Sequence, residues 1–375
     1  MTTVATPFRP PVPVAPEAPL PLRAFLRAVR TNALTMWPRV AYQQEVTVRK
    51  FLGRTNVLLN APEAIHHVLV ANHANYRRSP ASIRILRPIT GDGLLLSEGD
   101  EWKLQRRTVA PALGPRVMPM LANHVVSSVD RLIENLRATA GQPVDLLATM
   151  QNLALDIAGR SMFSLEMDRY GASMRRLLTE FSERYARPYL LDMVLPPSIP
   201  TWRDLARMRF KRRWMSLIET MLASRLASPE PDAPRDLFDL LRAARDPETG
   251  VGFSPTQLRD QVATLILAGH ETTAVSLFWA VIMLAQAHEE QAWLAEEASV
   301  FNIEPTTANA LMPALVRTRA VVNETLRLFP AAFTIVREAI SRDRIGDLEL
   351  PPGSIAMIAP WVLHRHQANW DDPEV

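Results

Sequence analysis

Residues 254–287, SPTQLRDQVATLILAGHETTAVSLFWAVIMLAQA, decide the fold. Ser254 suits an N-cap, Pro255 the first helical position, and Gln257 completes a capping box. No proline follows before Pro305, so nothing stops the helix early. At about 1.5 Å per residue it reaches on the order of 50 Å. Both halves are apolar nearly all round, which predicts a buried helix. Ala268, Gly269, His270, Glu271, Thr272 and Thr273 interrupt that run. A glycine there costs about 1 kcal/mol against alanine, and buried polar groups need partners. Such a break predicts a site: the glycine lets something approach the main chain, and an acid and an alcohol stand beside the gap.

Three other readings compete for these residues. The apolar run is long enough to span a bilayer, but an ionised residue at mid-membrane is expensive. A zinc motif HExxH would start at His270, and it fails because position 274 is alanine. A purely structural kink is the third, and it stays open on this stretch alone.

The chain of 375 residues is long enough for a large core, either as two or three domains or as one large helical domain with a small appendage. Hydrophobic content of 47% and charged content of 22% are ordinary for a soluble globular protein. A net charge of only +3 gives no case for general nucleic-acid binding. There is no cysteine, so disulfides, cysteine nucleophiles and zinc–thiolate sites are excluded for these residues.

Seven prolines between Pro7 and Pro21 make residues 1–22 an extended or disordered segment without the apolar core of a signal peptide. With no anchor elsewhere, a cytoplasmic location is expected. Glu45–Phe51 and Asn56–Leu59, split by Gly53-Arg54, predict a β-hairpin. Asn60 with Glu63 predicts a capping box opening a helix through Leu69. A loop carrying Arg77, Arg78, Arg84 and Arg87 follows.

In GDGLLLSEGDEWKLQRRTVAPAL, residues 91–113, Asp100 is placed to cap a short helix. Trp102 and Arg106, at i and i+4, share a face of it. An indole N–H beside a guanidinium grips a carboxylate or phosphate; a cation–π or packing pair on a surface helix is the plainer alternative.

Helices are predicted over 117–138, 146–163, 172–185, 202–226 and 237–244. The Pro-rich link 188–200 reads as a lid or a packed connection. Arg203, Arg207, Arg209, Lys211, Arg212 and Arg213 read as a solvated helix face. Beyond the long helix come an acidic helix over 288–299 and an amphipathic one over 315–328, which holds Glu324 and Arg327 at i, i+3. Strands are expected over 332–345 and 348–358, with Pro351-Pro352-Gly353 as a turn. The fold class is mainly α with a small β portion.

Together these pieces resemble one family. The order is WxxxR at Trp102–Arg106, AGxETT at Ala268–Thr273, ExxR at Glu324–Arg327, Arg337 before a strand, and HR with WDDPE between His364 and Glu374. It resembles the cytochrome P-450 haem-thiolate monooxygenases of the soluble bacterial kind, from about residue 40 onward. The resemblance implies a single domain over 23–375 and haem b as cofactor. It implies that the long helix crosses the distal haem face. Ala268 and Gly269 would border the haem there, Gly269 leaving room for dioxygen. Thr272 is then the alcohol that steadies reduced oxygen, and Glu271 the acid that feeds it protons. Trp102, Arg106 and Arg337 would bind haem propionates, with Arg84 a further candidate. Glu324 and Arg327 would form a buried structural pair.

The implied reaction is hydroxylation of a lipophilic small molecule. Its electrons would come from NAD(P)H through a ferredoxin or a flavoprotein reductase. No membrane span and no nucleic-acid partner are expected. The family's iron ligand is a cysteine in a loop downstream of the WDDPE stretch. The expectation is therefore a chain that stops at Val375 before that loop, holds no metal ligand and is inert as it stands. The alternative is a haem-free, non-enzymatic remnant that at most binds apolar ligands. Iron ligation by His364 or His366 is a lesser possibility.

Overall fold

A computed structural model of the chain describes residues 9–374 apart from 52, 165–168, 228–232 and 302–307. It shows a helical body with a five-stranded sheet and a two-stranded ribbon. The central helix runs Pro255–Leu284, and its start is as the sequence predicts. Ser254 Oγ accepts the Gln257 N–H at 3.3 Å, and Gln257 Oε1 accepts the Ser254 N–H at 3.0 Å.

The first half of this helix is buried. Leu258, Val262, Ala263 and Ile266 join Phe163, Trp214 and Phe238 in the largest core cluster. Its buried polar groups have assigned work. Asp260 Oδ2 accepts the Asp92 N–H at 2.9 Å, and Gln261 Oε1 accepts the Leu94 N–H at 3.1 Å. Gln261 also donates to Gln105 Oε1 at 2.7 Å. The Gly91–Leu94 loop sits so close that a Cβ on Gly93 would overlap Thr264 Oγ1 and lie 2.6 Å from the Asp260 carbonyl oxygen. Glycine at 91 and 93 is what permits this docking.

The second half differs from the expectation of burial on every side. Past Ala274 no residue of the helix is fully buried. Leu277 and Phe278 pack in part beside Met150, Leu153 and Ala154. Trp279 stacks on Phe329 with centroids 3.7 Å apart and planes 5° from parallel. By length and composition the helix could cross a bilayer; here it lies along the Leu146–Phe163 helix, its most extensive partner.

In the sheet, β1 (Val46–Phe51) and β2 (Arg54–Leu59) form the predicted hairpin, with Gly53 at φ 76° in its turn. β2 runs parallel to β7 (Ile355–Ile358). β7 pairs antiparallel with β4 (Ile335–Ala339), and β4 with β3 (Tyr76–Arg78). β5 (Asp343–Ile345) and β6 (Leu348–Leu350) form the ribbon. The two long strands predicted over 332–345 and 348–358 are thus each broken in two. Asn75 Oδ1 takes both the Ser341 N–H and its hydroxyl, drawing the chain off the ladder. Pro351 and Pro352 have no N–H to offer one.

Several local expectations are corrected. Asn60 does not cap a helix: its amide donates to the Ala41 and Gln44 carbonyls at 2.9 and 2.8 Å. The helix there covers only Pro62–His66 before a wider turn over His67–Ala71. Glu98, not Asp100, holds the N-cap position of the Gly99–Val109 helix. Arg207 leaves the solvated face of the Trp202–Leu226 helix and lies buried, gripping Asp192 at 2.7 and 2.9 Å. A buried guanidinium needs a paired carboxylate, and only tertiary packing brings that partner.

Residues 9–21 have no regular secondary structure and lie along the body, with the Arg39 N–H donating to the Pro16 carbonyl at 2.8 Å. Residues 1–8 of the Pro-rich stretch fall outside the described residues.

Candidate active site

The polar break in the central helix presents three faces. Ala268, Thr272 and Thr273 are exposed. Thr272 Oγ1 donates to the Ala268 carbonyl at 2.6 Å, and Ser276 Oγ donates to the Thr272 carbonyl at 2.8 Å. Back-bonds of this kind loosen the helical ladder and bend it. The Thr272 oxygen keeps its lone pairs free to accept from a ligand. Glu271 comes next around the helix, its side chain 39% exposed, and partial burial raises its carboxyl above the usual range. His270 points into the protein.

Gly269 is half-buried and lies around the helix between the exposed Thr272 and Thr273. A Cβ built on it would meet the Ala158 Cβ at 4.0 Å, on the Leu146–Phe163 helix. Ala268 and Thr272 stand together on the open face, because residues i and i+4 stack on one side of a helix.

The basic residues lie on elements tied to this helix. Gln105 links the Gly99–Val109 helix to Gln261. On that helix Trp102 is half-buried and Arg106 exposed. Arg337, on β4, is half-buried and donates to the Val336 carbonyl at 3.0 Å. Burial pushes its guanidinium below the usual range, which Glu98 partly offsets.

Directly across the ladder from Arg337 is Arg78. Arg78 donates to the Ser97 carbonyl at 2.6 Å, and burial, then the Arg337 charge, lower it as well. Two half-buried like charges on one rung repel, and Glu98, 3.9 Å from Arg78, offsets this only in part, so a further anion beside them would relieve it. From the sequence alone Arg78 belongs to a basic loop. Three strand residues, Tyr76–Arg78, give no periodicity to read, so its pairing with Arg337 was out of sight.

Arg84 is corrected. It is buried and donates to the Pro196 and Ile199 carbonyls at 2.6 and 2.9 Å, so it pins the Pro-rich link instead of facing a ligand.

Glu324 and Arg327 do pair, at 2.5 and 2.8 Å. Only the arginine is buried; the Glu324 side chain is 50% exposed. Arg327 also donates to the His364 and Pro373 carbonyls at 3.1 and 3.0 Å, so it clasps the end of this helix to the WDDPE stretch. His364 Nδ1 bonds the Arg327 carbonyl and His366 Nε2 the Gln44 carbonyl. Among the described residues no cluster of three His, Asp or Glu could hold a metal ion.

The chain belongs to the cytochrome P450 family, whose family model matches residues 30–375. Cyclooctatin synthase of Streptomyces melanosporofaciens is 32% identical over 84% of this chain and 68% of its own length. The chloroplastic protein LUTEIN DEFICIENT 5 of Arabidopsis thaliana is 27% identical over 96% of this chain and 63% of its own. A crystal structure titled cytochrome P450DA heme domain superposes with a TM-score of 0.73 at 22% identity, over 88% of this chain and 72% of that one. It shows the shared fold. The chain spans about two thirds of the length of these curated relatives. They come from bacteria and plants alike, so likeness does not select the soluble bacterial kind.

Family membership implies haem b, and the residues present fit it in two respects. The Ala268–Thr272 face is open and flanked by apolar turns, and the charge of the Arg78–Arg337 rung is only partly offset by Glu98. An iron–thiolate bond cannot come from these residues, which include no cysteine.

Proposed function

We propose that this protein is a haem-dependent monooxygenase that hydroxylates a lipophilic small molecule. The observation that carries the reading is the exposed turn where Thr272 and Glu271 stand beside Ala268 in an apolar helix. Haem supplies oxygen and one-electron chemistry when bound. The chain supplies the rest. Trp102, Arg106, Arg337 and Arg78 hold the carboxylates of the group, and Ala268 allows its flat face close to the helix. Thr272 would offer its hydroxyl at the open face as the donor and acceptor that the oxygen chemistry needs. Glu271, whose carboxyl burial raises above the usual range, would return protons to that hydroxyl while the apolar turns on either side limit water.

Two relatives from S. melanosporofaciens support the substrate class, since one is named cyclooctatin synthase and the other cyclooctat-9-en-7-ol 5-monooxygenase. A bifunctional cytochrome P450/NADPH–P450 reductase of Bacillus subtilis is 28% identical over 81% of this chain, which supports a flavoprotein electron donor; a ferredoxin serves equally. Residues 23–375 act as one unit in this reading, with 1–22 as an appended segment.

The test is loss of coupling. Thr272→Ala in the complete gene product should raise the peroxide released per NAD(P)H roughly several-fold, with substrate binding retained. Unchanged coupling would remove Thr272 from the chemistry.

A second reading, a haem-free binder of apolar ligands, draws on a cavity of about 130 Å³ walled by Phe25, Trp37, Phe51, Leu58 and Met357. Haem uptake by the complete gene product would dispose of it.

A further inference from the structure

His270 stands two residues before Thr272, hence on roughly the opposite side of the helix, with Glu271 between them. The ring is 4% exposed. The Gln151 main chain, on the Leu146–Phe163 helix, acts on the ring so as to favour a proton there. Nδ1 is buried without a partner, which leaves Nε2 as the nitrogen to serve the Gln151 carbonyl. A neutral imidazole that donates through Nε2 carries a lone pair on Nδ1. Burial keeps the ring neutral by lowering it to about 4, and the Arg175 charge on the Gly171–Glu180 helix acts in the same direction.

Nδ1 lies 3.7 Å from Glu271 Oε2. That is beyond a hydrogen bond, but the last torsion of a glutamate is soft and the Glu271 side chain is partly free to move. A carboxylate has nothing to donate to a lone pair. A protonated carboxyl has one O–H to give.

We propose that His270 is a positioning residue for Glu271: its Nδ1 lone pair accepts the carboxyl O–H of Glu271 and holds the acid form of that side chain beside Thr272. Among the described residues, three groups act on the ring. The central helix presents Glu271, the Leu146–Phe163 helix presents the Gln151 carbonyl, and the Gly171–Glu180 helix presents Arg175. Burial already raises the Glu271 carboxyl, and a bond offered to the neutral form raises it further. When Glu271 gives up its proton the bond is lost. The carboxylate then turns to solvent, takes a proton from water and returns. The contact stands on geometry; its use in catalysis rests on the monooxygenase reading.

The experiment is an infrared titration of the protonated Glu271 carboxyl in the complete gene product, assigned by difference from Glu271→Gln. His270→Phe keeps a ring and removes the acceptor; His270→Asn keeps an oxygen near the Nδ1 position. The Glu271 pKa should fall by about one unit in the Phe variant, a tenfold loss of the acid form at neutral pH. It should stay near the parent value in the Asn variant. An unchanged pKa in the Phe variant, or an equal fall in both, overturns the proposal. If Phe prevents folding, His270→Leu takes its place with the same outcomes. The titration needs no turnover. A shifted pKa with unaltered peroxide leakage would therefore uphold the contact and count against the monooxygenase reading.

Discussion

Arg327 shows how much one side chain carries in this fold. Its guanidinium is buried, yet the Glu324 partner is half-exposed and screened, so the ion pair by itself is worth little. Its larger role is to satisfy the His364 and Pro373 carbonyls. Arg327→Ala should cost about 3 kcal/mol, because those acceptors and a carboxylate lose their donor together. Glu324→Gln should cost under about 1 kcal/mol. Urea unfolding of both variants checks the contrast, and equal losses would refute it.

His270 makes a pH prediction of its own. Its folded value of about 4 lies below the ordinary 6.5, so between these limits the unfolded chain binds a proton that the folded chain does not. Stability therefore rises with pH across that window, is complete above about 6.5, and is lost as pH falls toward about 4. The full span is on the order of 3 kcal/mol. The difference in unfolding free energy between the parent and His270→Asn should shrink by much of that amount from pH 7 to pH 4.5. A constant difference would mean the ring is not buried neutral. The residue types at these positions were legible in the sequence, but the partners that set their energies were not. Arg84 and Arg207 look like surface cations until Pro196, Ile199 and Asp192 arrive beside them.

At the scale of elements, the contact between the Gly91–Leu94 loop and the central helix separates two kinds of glycine. Gly93→Ala would drive a methyl group into Thr264 and the Asp260 main chain. Overpacking of this sort costs about 1–3 kcal/mol. Gly269→Ala meets only ordinary contact with Ala158 and should gain up to about 1 kcal/mol from helix propensity. Thermal unfolding of the two variants should shift in opposite directions; a destabilising Gly269→Ala would mean that the helix needs closer approach there. Most helix limits followed from caps, prolines and apolar spacing: the Leu146–Phe163, Trp202–Leu226 and His288–Ser299 helices match the predicted spans. The strands fared less well. Asn75 ends a strand from 266 residues away, and no local pattern records such a partner.

At the scale of the whole molecule, the site is assembled along one line of contacts. β3 and β4 meet at Arg78 and Arg337. Arg78 reaches Ser97 at the foot of the Gly99–Val109 helix, and Gln105 ties that helix to Gln261. These elements lie far apart in the chain and depend on one another for position. With no cysteine among its 375 residues, this chain mixed with haem and reduced under carbon monoxide should give no thiolate-type Soret band. The complete gene product should give one if it supplies the thiolate, and an imidazole-type band from it would overturn the haem-thiolate assignment.

The sequence by itself determined the central helix, its polar break, the mainly α class and the order of motifs that marks the family. Those rest on local rules of capping, periodicity and composition, which a chain carries wherever it folds. Only the tertiary structure decided that Ala268 and Thr272 are exposed while Gly269 is half-buried near Ala158, that Arg84 is a strut, and that Arg78 stands against Arg337. Each of those depends on which distant group occupies the space beside a side chain, and burial and charge act through that neighbour.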